Sequence, residues 1–159
     1  MASTYTTYGG IQTLTTTNLQ SLANSPTTYW RSAEISNATD RWDDALVEVT
    51  LAFSVGAPAN SQAAFVYVDG RNDPASLGSE GTVSGQPDVT TGPVPFRLIG
   101  RVPFRVSGAT VRISVASVAS AFGGTMPTVW RVIVVNHSGV ALAASGSAIT
   151  WRGVRTEVV

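Results

Sequence analysis

The stretch 45–55, ALVEVTLAFSV, alternates without a break, and no other feature constrains the fold as strongly. Leu46, Glu48, Thr50, Ala52 and Ser54 fall on one side, and Val47, Val49, Leu51, Phe53 and Val55 on the other. A period of two residues describes a half-buried strand, whereas a helix would need a period near 3.6. The same signal recurs along the chain. Residues 63–68, AAFVYV, read as a strand ended by the polar turn Asp69, Gly70, Arg71, Asn72, Asp73, Pro74. Residues 96–102 set Phe96, Leu98, Gly100 and Val102 against Arg97, Ile99 and Arg101. Residues 110–116 turn Val111, Ile113 and Val115 inward, and 128–136 and 140–151 read as two more strands around a turn at His137, Ser138 and Gly139. The tail 152–159 is expected to add a last strand.

Between these runs lie turn and loop signals. Gly56, Ala57, Pro58, Ala59 and Asn60 form a turn, and 75–91 is a polar loop with room for one edge strand. Residues 117–122, SVASAF, read as a short helix ended by Gly123 and Gly124. Roughly eight short strands, with turn signals roughly every 8–14 residues and almost no helix, predict an all-β chain: an antiparallel β-sandwich, jelly-roll-like. No internal repeat is present.

Residues 1–28 differ from the rest of the chain. Thr4, Thr6, Thr7, Thr13, Thr15, Thr16, Thr17, Thr27 and Thr28 crowd the segment, and it holds no charged side chain. Threonine favours extended chain. The expected organisation is an extended N-terminal assembly arm over 1–28, with Tyr5, Tyr8, Ile11 and Leu14 as its anchors, and a β-sandwich domain over 29–159.

Composition decides the function class. The chain has no Cys, no Lys and one His, and charged residues make up 13% at a formal net charge of +0. Nucleophile–base pairs and metal sites draw on His, Cys, Lys or clustered carboxylates, so a structural or binding protein is expected rather than an enzyme, with no cofactor. Nucleic acid would require a basic face, and no run approaches a membrane span, so neither is an expected partner. The opening MASTYTTYGG has no basic n-region or apolar h-region of a secretory leader. Low charge at zero net charge favours association.

The residues that could carry chemistry each have a plainer reading. His137 reads as a hairpin-turn residue, because no catalytic partner accompanies it. Asp40, Asp43 and Asp44 match no calcium-loop spacing and read as a capped turn with an Arg partner; the turn at Asp69, Asn72 and Asp73 is read the same way. Trp30, Trp42 and Trp130 read as core or rim packing, and Trp151, beside Arg152, as the exposed ring. Arg97, Arg101, Arg105 and Arg112 sit on neighbouring strands, where contacts between subunits suit them better than nucleic acid. The sequons at Asn37 and Asn136 have no meaning without secretion.

Two runs resemble small structural proteins of tailed bacteriophages. One is Trp30 to Thr39 followed by Trp42-Asp43-Asp44-Ala45-Leu46-Val47; the other is Ala121 to Trp130 followed by a strand and Asn136 to Leu142. The resemblance covers about residues 28–155. It implies a β-sandwich or jelly-roll subunit on the virion, and a capsid decoration (cement) role that stabilises the major capsid lattice. The expected partners are the major capsid protein and the chain itself as a homotrimer. The expected place is the capsid surface after synthesis in the host cytoplasm. A tail or head-fibre component with a carbohydrate-binding sandwich is the alternative. Expected assembly contacts are Tyr5, Tyr8, Ile11, Leu14, Arg97, Arg101 and Trp151.

Overall fold

The computed structural model of the chain describes residues 3–25, 27–57, 62–72, 80–84 and 96–158. Among these residues the regular structure comprises eleven strands, one α-helical turn and one 3-10 turn. In chain order the strands are β1 (Thr4–Tyr8), β2 (Gln12–Thr13), β3 (Thr28–Arg31), β4 (Ile35–Ser36), β5 (Asp44–Ala52), β6 (Ala63–Arg71), β7 (Gly81–Ser84), β8 (Arg97–Pro103), β9 (Thr110–Ser117), β10 (Val129–His137) and β11 (Ala148–Val158). One sheet runs β1-β11-β5-β9, and the other β7-β3-β10-β6-β8. The short β2 pairs with β11, and β4 with β10. Every pairing is antiparallel.

The connectivity is that of a jelly roll. Among β1, β3, β5, β6, β8, β9, β10 and β11, each step of the chain crosses to the opposite sheet except β6 to β8. Two sets of four result, β1-β11-β5-β9 facing β3-β10-β6-β8, with β7 added outside β3.

The core between the sheets follows from the alternation. In β5 the side chains of Ala45, Val47, Val49 and Leu51 are buried, while Leu46, Glu48 and Thr50 are half-exposed. Trp30, Val66, Val68, Val102, Phe104, Trp130, Val132, Val134, Leu142 and Ile149 complete the same cluster. Phe53 and Phe104 meet at 5.0 Å between ring centroids, and Trp130 meets Trp151 edge-on at 5.4 Å. Two positions depart from the pattern: Ala52, on the open side, is buried, and Val55 is exposed beyond the strand end. In β10 every residue but His137 is buried. Its outward Ile133 and Val135 join Tyr29, Tyr67 and Phe96 in a second apolar cluster on the back of the sheet.

Several expectations are corrected. Asp69 is no turn residue: β6 runs on to Arg71, and Asp69 stands directly across from Arg131. Arg131 donates from Nε at 3.0 Å and Nη2 at 2.7 Å to Asp69 Oδ2, both side chains being buried. This pairing lets a carboxylate occupy a central strand. In β8 a bulge at Ile99 inverts the expected faces. Ile99 packs on the main core and Leu98 is exposed, because one extra residue reverses the side-chain parity. The run 140–151 is not one strand; Leu142 only bridges to Phe53, and β11 begins at Ala148 and absorbs the tail. The short helix is present as α1 (Val118–Ala121), capped by the Ser117 side chain and closed by Gly123 and Gly124 at positive φ. Val111 and Ile113 face the core. The side chain of Val115, Pro58 to Asn60 of the expected turn, Asp73 and Pro74, and most of the loop 75–91 lie outside the described residues.

The largest correction concerns 1–28, which is not set apart from 29–159. The segment is extended where expected, but β1 lies beside this chain's own β11, in register from Thr4 opposite Val158 to Tyr8 opposite Val154. It is the first jelly-roll strand. Beyond it the 3-10 turn Thr17–Leu19 drives Leu19 into the main core, with Leu22 behind it and Leu14 packed at its margin. The segment carries too few apolar groups for a core of its own, so it completes the core of the sandwich.

Candidate functional site

The β1 edge of the sandwich gathers most of the unusual surface. Of the seven large hydrophobic residues exposed among the described ones, four lie there: Tyr5 at 48%, Tyr8 at 53%, Ile11 at 70% and Val158 at 69%. β1 itself buries almost nothing, since Thr4, Tyr5, Thr6 and Tyr8 are exposed and Thr7 is half-buried. It is therefore held mainly by its backbone ladder. Gly9 N–H continues that ladder to the Gly153 carbonyl at 2.9 Å. Two side-chain contacts add to it. Tyr5 Oη donates to Glu157 Oε2 at 2.6 Å, and that hydrogen bond, with the carboxylate charge, raises the phenol above its ordinary pKa. The Arg152 guanidinium lies 4.6 Å from the centre of the Tyr8 ring. On the outer face of the sheet, Ile11, Leu46, Glu48, Arg112, Thr150 and Arg152 line a shallow depression beside Tyr8.

A larger cleft, about 470 Å³, opens on the inner side of the same edge. Gln12, Thr13 and Leu14 form one wall, Glu34, Ile35, Ser36, Asp40 and Trp42 the other, and Trp151 and Gly153 of β11 also line it. Asn37 shapes the second wall. Its side-chain amide donates to the Trp42 carbonyl at 3.0 Å, and its Oδ1 accepts from Trp42 N–H at 2.7 Å. Arg41, at φ 51°, completes the tight reversal. Trp42 then lies against β11, where a Cβ on Gly153 would collide with the indole. Gly153 is glycine because the ring occupies the space of a side chain. The Arg155 guanidinium lies 4.9 Å from the Trp42 ring centre.

Among the described residues the three aspartates at the start of β5 form no salt bridge with Arg, contrary to expectation. Asp44 Oδ1 accepts from Ala45 N at 2.7 Å and Ala119 N at 2.8 Å, and Asp43 Oδ2 accepts from Thr156 N at 2.6 Å. Backbone N–H groups satisfy Asp43 and Asp44, and Asp40 alone of the three lines the cleft. Among the described residues no group of three or more His, Cys, Asp or Glu is placed to hold a metal ion.

The seven expected assembly contacts divide. Tyr5, Tyr8 and Ile11 are all exposed at the β1 edge, with Tyr5 on the opposite face of the sheet from Tyr8. Leu14 is close by, but its side chain packs on the core. Trp151 is not the exposed ring: it meets buried Trp130 edge-on, packs on the core and lines the cleft. Arg97 and Arg101 are exposed on β8, at the other end of the sandwich from β1, and Arg97 covers the Phe122 ring at 5.3 Å. His137 ends β10 and meets Phe65 edge-on at 5.9 Å.

Some organising residues carry no local signal in the sequence. Buried Asn136 donates from Nδ2 to the carbonyls of Leu22 at 3.0 Å and Val140 at 2.8 Å, tying the N-terminal segment to the sandwich. Glu80 accepts from the Trp30 indole N–H at 2.6 Å and from Asn18 N–H at 3.0 Å. Each joins partners far apart in the chain. Gly153, a glycine inside a strand, is the one such residue whose signal was readable.

No family model matches this chain, and no curated protein does. Among the described residues no helix is long and apolar enough to cross a membrane.

Proposed function

We propose that this chain is a bacteriophage virion structural protein, a capsid decoration protein that binds and stabilises the major capsid lattice without catalysing a reaction. The observation that carries the reading is the exposure of Tyr8 and Ile11 on the outer face of the β1 edge, beside the depression that Leu46, Glu48, Arg112 and Arg152 line. An exposed aromatic and an exposed aliphatic side chain rimmed by Arg152, Glu48 and Arg112 suit a protein-binding surface. The jelly roll is a fold shared by capsid and lectin domains, and the chain's low charge suits life within an assembly. Many copies on a lattice would turn a modest contact into firm attachment. The test is co-sedimentation with purified capsids. Ile11→Asp and Tyr8→Ser should lower occupancy at unchanged melting temperature, because both side chains are exposed. Wild-type occupancy in both variants would overturn the assignment of this edge.

One observation favours a second reading, a tail or head-fibre component that binds host carbohydrate. The cleft sets the acceptors Gln12, Glu34 and Asp40 beside Trp42 and Trp151. Carboxylates and amides accept hydrogen bonds from sugar hydroxyls, and indoles cover apolar sugar faces. Two carboxylates disfavour anionic sugars. On a glycan array this reading requires binding of neutral or amino sugars that falls in Asp40→Asn, with sialylated glycans unbound.

A further inference from the structure

We propose that β1 is a self-pairing strand: two copies of this chain join edge to edge, β1 against antiparallel β1, into one continuous sheet across a two-fold axis.

The ladder shows which backbone groups are free to do this. In an antiparallel pair, successive residues turn their N–H and C=O alternately toward and away from the partner. Gly9 N–H bonds to the Gly153 carbonyl, so Thr7 and Tyr5 also turn toward β11. Thr4, Thr6 and Tyr8 therefore point their N–H and C=O groups outward. Among the described residues no strand pairs with that outer edge.

Sheet edges are normally guarded by charge, proline or shortness. The other marginal strands here follow that rule. β8 carries Arg97, Arg101 and Pro103, β9 carries Arg112, and β7 is only four residues long. β1, Thr-Tyr-Thr-Thr-Tyr, has no charge and no proline, and consists of strong strand formers. Among the described strands it is the unguarded edge.

The occupant that fits is a second β1. Centred on Thr6, the antiparallel self-pairing places Thr6 opposite Thr6 and Thr4 opposite Tyr8. All three outward-facing residues of one copy then meet outward-facing residues of the other. Tyr5 falls opposite Thr7, an aromatic beside a β-branched residue, which is a favourable cross-strand pair. No charge is buried. A contact between identical edges closes as a dimer, so the homotrimer expected for a capsid lattice is not what this edge builds. The dimer also carries the Tyr8–Ile11–Arg152 surfaces of both copies on one sheet.

The test uses the full chain in size-exclusion chromatography with light scattering. Wild type is expected as a dimer at high concentration that dissociates on dilution. Thr6→Pro removes an outward N–H and should give a folded monomer. Thr7→Pro removes an N–H that faces β11 and should lower the melting temperature instead. A charge exchange makes the register itself visible. Thr6→Lys and Thr6→Glu should each be monomeric, because like charges meet at the axis, and mixing them should restore a dimer of one copy of each. Wild type that is monomeric at every concentration, a wild-type trimer, or a mixture that stays monomeric overturns the proposal. Dimerisation does not depend on capsid attachment, so a dimer that ignores capsids would refute only the decoration reading.

Discussion

Deletion of residues 2–25 should unfold the sandwich, and deletion of residues 2–8 should not. The difference lies in what each segment buries. Leu19 is fully buried and Leu22 nearly so, both within the main core. Truncating one such leucine to alanine costs about 2–5 kcal/mol, from lost transfer energy and the cavity left behind. The two together amount to about 4–10 kcal/mol, which matches most of the 5–15 kcal/mol that holds a typical domain together. The longer deletion also removes Leu14 and the Leu22 carbonyl that accepts from Asn136 and from Leu142 N–H. The shorter deletion removes only β1, whose side chains are exposed or half-buried. Urea unfolding followed by fluorescence of buried Trp30 and Trp130 reads both. The variant lacking residues 2–8 should unfold cooperatively with a modestly lower midpoint, and the one lacking 2–25 should show no transition. Leu19→Ala in the full chain should lower stability by about 3 kcal/mol, or roughly 10 °C in melting temperature. A 2–25 deletion that keeps the wild-type midpoint would refute the placement of Leu19 and Leu22 in the core.

Other perturbations have effects of distinct size. Asp69→Ala strips Arg131 of its buried carboxylate and should cost about 3–5 kcal/mol in chemical denaturation. Glu48→Gln breaks an exposed pair with Arg112 and should change stability by less than about 1 kcal/mol in the same assay. Gly153→Ala drives a methyl into the Trp42 ring and should cost about 1–3 kcal/mol, with a changed near-ultraviolet circular dichroism signal from the displaced indole. Burial raises the Tyr67 phenol above its ordinary value of 10.0. The unfolded chain therefore releases that proton first, so this contribution is intact below about pH 10 and is lost as pH rises further. Tyr67→Phe should flatten the fall of the unfolding midpoint between neutral and strongly alkaline pH.

What the sequence determined by itself was local and periodic. The alternation at 45–55 is the strand β5 with its buried and open faces in place, and Ser117 with Gly123 and Gly124 marks both ends of α1. These signals survive because adjacent residues make them. The all-β class followed from repeating such strands between turns. Tertiary structure decided the rest. Nothing near Thr4–Tyr8 announces that its partner is Val154–Val158 at the far end of the chain, so an uncharged, threonine-rich run reads as an arm when it is the first strand of the roll. Asp69 looks like a turn residue until Arg131 stands across from it, and Leu98 looks like a core residue until a bulge reverses its side. The cleft has the same origin: Gln12, Asp40 and Trp151 come from three separate stretches of the chain, and only the closing of the jelly roll sets them around one opening. Local geometry is written in neighbouring residues. Partnership across a sheet depends on residues far apart in the chain, and it becomes definite only when the two layers pack.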